Sequence, residues 1–302
     1  MRRRSQREWE MQRQGILSRF PVADKELAEE WAWTIEHQAY FGSGEPTLQD
    51  ALRLFALEET ETAERALDFA LKCLEKAQQV DDCSIYGKWY ERVREITIEG
   101  EPFTQYAYLD AATDGAEPWH DKDLGRALRT RRLFTCRWLK YGVREDALLK
   151  EMVVRLRNWL DFQYALPPDS PEAKRTYDTT RHHLPEFIQW CVEAGEFALV
   201  KDYYPGPAQR PLTSPSGHWR FTRRIDEVLY LWALHRSEEI SSTSIFPEAI
   251  DRCYYYVCKE IGKEWGDYLL NPDTLGLAYL RAQMLGLPTE PRELLRRIRD
   301  DS

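Results

Sequence analysis

Apolar residues recur at steps of three and four along most of the chain, with polar residues between them and Gly or Pro at the breaks. That spacing gives a helix one buried face. Leu27, Trp31 and Ile35 follow a capping Asp24. Leu52 and Phe55 follow Thr47 and Asp50, which together approximate a capping box. After the polar run EETET, Ala66, Phe69, Ala70, Cys73 and Leu74 continue the pattern. Ile85, Trp89, Val93 and Ile96, at steps of four, four and three, predict a further helix that ends at Gly100, and a short one is expected from Phe103 to Ala112. Strand-like alternation is almost absent.

The helix ends carry their own signals. WLKYGVREDALL, WCVEAGEFALV and RAQMLGLPTEPRELL share a helix–Gly–helix rhythm, and Gly142 suits the left-handed position just past a helix. A helix over about 145–165 is stopped by Pro167 and Pro168. Ser170 and Pro171 then read as cap and first helical residue of the next one, which Pro185 is expected to end or kink, opening another that closes at Gly195. Further helices are expected near 219–239, 247–265, 272–285 and 291–299, the third bracketed by Asn271-Pro272 and Gly286. The stretch PGPAQRPLTSPSG is too rich in Pro and Gly for either periodicity. The expected organisation is a basic extension at 1–20, a main helical domain at 21–204, a Pro/Gly-rich loop at 205–217 and a helical subdomain at 218–302 packed on the first. The units differ in length, so no fixed repeat emerges. The fold class is therefore all-α, an irregular array of antiparallel αα-hairpins, either helical-repeat-like or a compact helical domain.

Composition adds that no staple is needed. With 302 residues, 43% of them apolar, the chain can bury a large core unaided. The six cysteines, at 73, 83, 136, 191, 253 and 258, form no C-x-x-C pair and are expected as buried thiols. The opening MRRRSQREWEMQRQG is basic with no apolar run behind it, so neither a signal peptide nor a membrane span is expected and the location expected is cytoplasmic. The net charge of -9 is uneven. Ser43 to Glu101 holds 14 acidic residues against 7 basic, and Arg126 to Arg157 holds 10 basic against 3 acidic.

Motifs for phosphate or acyl chemistry are missing. There is no G-x-G-x-x-G, no G-x-x-x-x-G-K-[ST], and SPSG at 214–217 is not a nucleophile elbow. For a metal, Asp178 and His182 lie four residues apart, as do His182 and Glu186, so a continuous helix would align three ligands. The competing reading is a cationic helix end formed by Arg181, His182 and His183 in front of Pro185. His120 and Asp121 form a His-Asp pair that needs His37 and one of Asp146, Asp161 or Asp178 to complete a metal site; Asp121 as an N-cap explains it without one. In GRALRTRRLFTCRWLKYGVR cations alternate with rings, a pattern that suits RNA, with Arg129 and Arg132 as its contacts. Helical geometry instead puts Leu124, Leu128, Phe134, Trp138 and Tyr141 in the core. Arg126, Arg129, Arg137 and Lys140 then lie on other faces, solvated or paired with the acidic N-terminal helices.

Protein recognition fits the pattern best. In DRCYYYVCKEIGKEW the stripe Ile250, Tyr254, Val257, Ile261 and Trp265 leaves Tyr255 and Tyr256 outside it, and the acidic run with Glu58, Glu59 and Glu61 suits a basic partner. The expectation is a non-enzymatic, cytoplasmic, protein-binding scaffold, an immunity protein or an adaptor, without cofactor, nucleic acid or membrane. Its rivals are a metal-dependent hydrolase on His120 and Asp121, or on Asp178, His182 and Glu186, and an RNA-binding helical protein.

Overall fold

The computed structural model describes residues 11, 14, 45–79, 89–98, 101–109, 120–167, 169–203, 228–238, 246–258 and 270–301. The chain divides into two units, residues 1–145 and 146–301, with Ser302 grouped with the first. In the first, α1 (Glu45–Ala56) and α2 (Thr60–Gln79) form a helical hairpin, β1 (Trp89–Ile98) and β2 (Glu101–Leu109) a β-hairpin, and α3 (His120–Tyr141) packs on α1 and α2. The second holds α4 (Asp146–Ala165), α5 (Pro171–Ala194), α6 (Phe197–Tyr203), α7 over 228–236, α8 (Phe246–Tyr256), α9 (Pro272–Leu285) and α10 (Pro291–Asp301). There α4, α6 and α9 pack on α5, and α8 and α10 pack on α9. The fold is helical, as the periodicity requires. The core of the first unit is built from Leu48, Leu52, Leu67, Leu74, Phe134 and Trp138, and that of the second from Trp159, Phe187, Trp190, Tyr254, Leu275 and Ile298.

Three glycines that punctuate the helix–Gly–helix stretches, Gly142, Gly195 and Gly286, all adopt positive φ. At Gly195 (φ 75°) its own N–H donates to the Val192 carbonyl at 3.2 Å and the Glu196 N–H to the Cys191 carbonyl at 2.8 Å. These two bonds satisfy carbonyls that the helix leaves open. The same pair closes α1, where Glu58 donates to Phe55 at 3.1 Å and Glu59 to Leu54 at 2.9 Å, but here the left-handed residue is Glu58, at φ 64°. The start signals hold as well. Ser170 Oγ accepts from Ala173 N–H at 3.1 Å, and Asn271 Oδ1 accepts from Asp273 and Thr274 N–H at 2.9 and 2.8 Å, each with proline at the following position.

Two expectations need correction. Over the described parts of the helix expected through Trp89, Val93 and Ile96 and of the short one from Phe103, the chain forms the antiparallel pair β1 and β2, while Ile85 and 110–112 lie outside the described residues. The cause is a bulge. Trp89 pairs with Leu109 and Ile96 with Phe103, and Val93 has no partner in the ladder. Trp89 and Ile96 are seven residues apart, so strict alternation would put them on opposite faces; the extra residue restores the phase and places both register positions on one face. Spacings of four and three across a bulge mimic a helix. The other correction is at Pro185, which neither ends α5 nor opens a new helix; α5 runs unbroken from Pro171 to Ala194. A proline inside a helix costs about 3 kcal/mol. Beyond it Phe187, Ile188, Trp190 and Cys191 are wholly buried, and each large apolar side chain contributes about 1.5–3 kcal/mol. Burial therefore wins.

The expected helix at 24–35 and the loop at 205–217 lie outside the described residues, as do 219–227 of the helix expected at 219–239 and 259–265 of that expected at 247–265. Because an L-residue in the left-handed region costs about 1 kcal/mol relative to Gly, Glu58→Gly is expected to raise the stability by about 0.5–1 kcal/mol. Gly195→Ala, which has open space around the added methyl but the wrong backbone region, is expected to lower it by about 1 kcal/mol. Urea unfolding of the full chain measures both; shifts of the same sign would contradict this assignment of the helix ends.

Candidate interaction surface

The basic run of α3 turns out to be occupied from within its own unit. Arg129 is 5% exposed and Arg131 is also buried, which excludes for Arg129 the solvated one of the two placements that the helical wheel left open. Arg132 is half-buried. Arg137 donates from Nη2 to Glu75 Oε1 on α2 at 3.0 Å and from Nη1 to Glu145 Oε2 at 3.1 Å. Lys140 binds Asp68 on α2, which holds its ammonium above the ordinary lysine value. Arg144 lies over the rings of Phe134 and Trp138, at 5.0 and 4.6 Å from their centroids, close enough for cation–π attraction. Of the two readings open for this face, pairing with the acidic helices is the one observed. Arg129, facing inward, is not placed to meet a nucleic-acid backbone.

Those contacts frame the turn after α3. The helix stops at Gly142, whose N–H donates to the Trp138 carbonyl at 2.8 Å with φ 69°. Tyr141, expected in the core, is instead 59% exposed, and Val143 is 60% exposed. Tyr141 is the last residue of α3 and, although it continues the apolar stripe, it projects into water. Single exposed apolar residues are common. Here two of them share a turn whose backbone is fixed on both sides, by the Gly142 bond and by Arg137 and Arg144, and a fixed anchor loses little entropy on binding.

In the second unit α5's continuity keeps Asp178, His182 and Glu186 at helical spacing. The side chains of Asp178 and His182 lie outside the described residues. Glu186 Oε2 is bound to Nδ1 of His183, and the His183 ring stands at 87° to that of Trp159 with centroids 5.6 Å apart. His183 is thus held by α4 and by its own helix, and it lies well inside α5, not at a helix end. Among the described residues no three His, Cys, Asp or Glu side chains are grouped to hold a metal ion. His120 and Asp121 occupy the first turn of α3, with side chains outside the described residues; His37 lies outside them altogether. Asp146 opens α4, and Asp161 accepts from the hydroxyl of Tyr203.

The remaining candidates are dispersed. Ile250, Tyr254 and Val257 are buried and Tyr255 is exposed, as the stripe required; Ile261, Trp265 and the side chain of Tyr256 lie outside the described residues. Glu58 and Glu61 are exposed and Glu59 half-buried, at the α1–α2 turn. A second aromatic cluster escaped the sequence reading. Tyr164 is exposed and lies 6.4 Å from the ring of Tyr203, which stands edge-on to buried Phe187 at 4.8 Å. The exposed spacing Val154, Arg157, Asp161, Tyr164 was a legible signal for it. Among the described residues Cys136, Cys191, Cys253 and Cys258 are buried and form no disulfide, and burial pushes the Cys191 thiol well up. Among the described residues no helix is long and apolar enough to cross a membrane. Comparison of the chain with protein-family models, with curated proteins and with solved structures returns no match.

Burial, with Asp161 accepting from its hydroxyl, pushes the Tyr203 phenol up to about 12. The neutral phenol is the form the fold favours, so its contribution is whole below pH about 10 and is lost as pH rises through about 12. The stability difference between the native chain and Tyr203→Phe should be constant from pH 7 to about 9.5 and shrink between about 10 and 12. A difference that persists unchanged to pH 12 in alkaline unfolding curves would contradict it.

Proposed function

We propose that this chain is a non-enzymatic scaffold that captures another protein, and that the turn carrying Tyr141 and Val143 is its anchor. The observation that carries the reading is the exposure of these two side chains on a backbone fixed by Gly142, Arg137 and Arg144. Protein interfaces draw most of their energy from a few such anchors, tyrosine prominent among them. The cations beside them are already engaged with Asp68, Glu75, Glu145 and ring faces, which supports a protein partner over RNA. An immunity protein or an adaptor, acting in the cytoplasm, is the role this reading favours.

One observation favours a second reading. The unbroken α5 meets the geometric condition under which Asp178, His182 and Glu186 would align, the arrangement a metal-dependent hydrolase needs. Against it, the Glu186 carboxylate is taken by His183.

The test of the scaffold is comparative capture from extracts of the source cells. Immobilised native chain and a Tyr141→Ala/Val143→Ser variant, matched for melting temperature, are compared by quantitative mass spectrometry. One or a few proteins should fall about tenfold or more with the variant, the loss of about 1.4 kcal/mol or more that removing an anchor brings. Identical profiles would overturn the reading, and stoichiometric zinc or manganese retained by chelator-treated native chain and lost in His182→Ala would favour its rival.

A further inference from the structure

We draw no further inference here: the strongest candidate, the surface patch on α4 of the second unit where Val154 and Tyr164 stand exposed and Tyr164 lies 6.4 Å from the ring of Tyr203, carries nothing because nothing in the structure shows what covers it.

Discussion

Arg137 holds two carboxylates on different segments, Glu75 of α2 and Glu145 beyond the turn, and the way the end of α3 is tied to α2 depends on that bridge. Exposed or half-exposed ion pairs contribute only about 0–1 kcal/mol each. The stability of α3 on α2 comes instead from Leu67, Leu71, Leu74, Phe134 and Trp138, each worth about 1.5–3 kcal/mol when buried. The ion pairs thus do something that burial cannot. Apolar contact is non-directional, while a guanidinium fork between two carboxylates fixes an angle. Together with Arg144 on its two rings, it ties down the end of α3 and the turn after it, where Tyr141 and Val143 stand exposed.

The second unit is organised around α5 in a comparable way. Its apolar stripe supplies the energy to carry the helix through Pro185, and a few polar bonds fix what it packs against. Trp190 donates its indole N–H to Asp273 Oδ1 at 2.8 Å, and Gln189 donates to the Asp273 carbonyl at 2.8 Å and to Glu193 at 3.0 Å. A buried donor left without its acceptor costs about 1–3 kcal/mol, so these bonds specify one seating of α9 against α5. Arg281 repeats the device between α9 and α8, over the ring of Tyr254 at 4.5 Å and bonded to Asp251.

Helix ends were the most legible part of the sequence, because Gly142, Gly195, Gly286, Ser170 and Asn271 act through local backbone geometry that needs no tertiary knowledge. The β-hairpin was illegible because the bulge at Val93 breaks its period, and Pro185 misled because the strength of a helix breaker is decided by the burial of the residues beyond it. Arg129 was placed off the core stripe, solvated or paired with the acidic helices, by the helical wheel, which has no knowledge of how far neighbouring helices reach around, and it is buried. Tyr141 failed in the opposite sense: it continues the apolar stripe, but it is the last residue of α3 and stands exposed, a position the wheel does not distinguish from one inside the helix. The pairing of the basic run with the acidic helices was foreseeable from their opposite charge, though not which carboxylate each cation would take.

A binding anchor at Tyr141 and Val143 requires that the arginines hold the turn still. Backbone 15N relaxation across Tyr141 to Val143 measures that rigidity, in the native chain and in Arg144→Ala. Order parameters of about 0.85 in the native chain, falling toward about 0.6 in the variant, are expected. A turn that is mobile in the native chain, or equally rigid once Arg144 is removed, would refute the role given to the arginines.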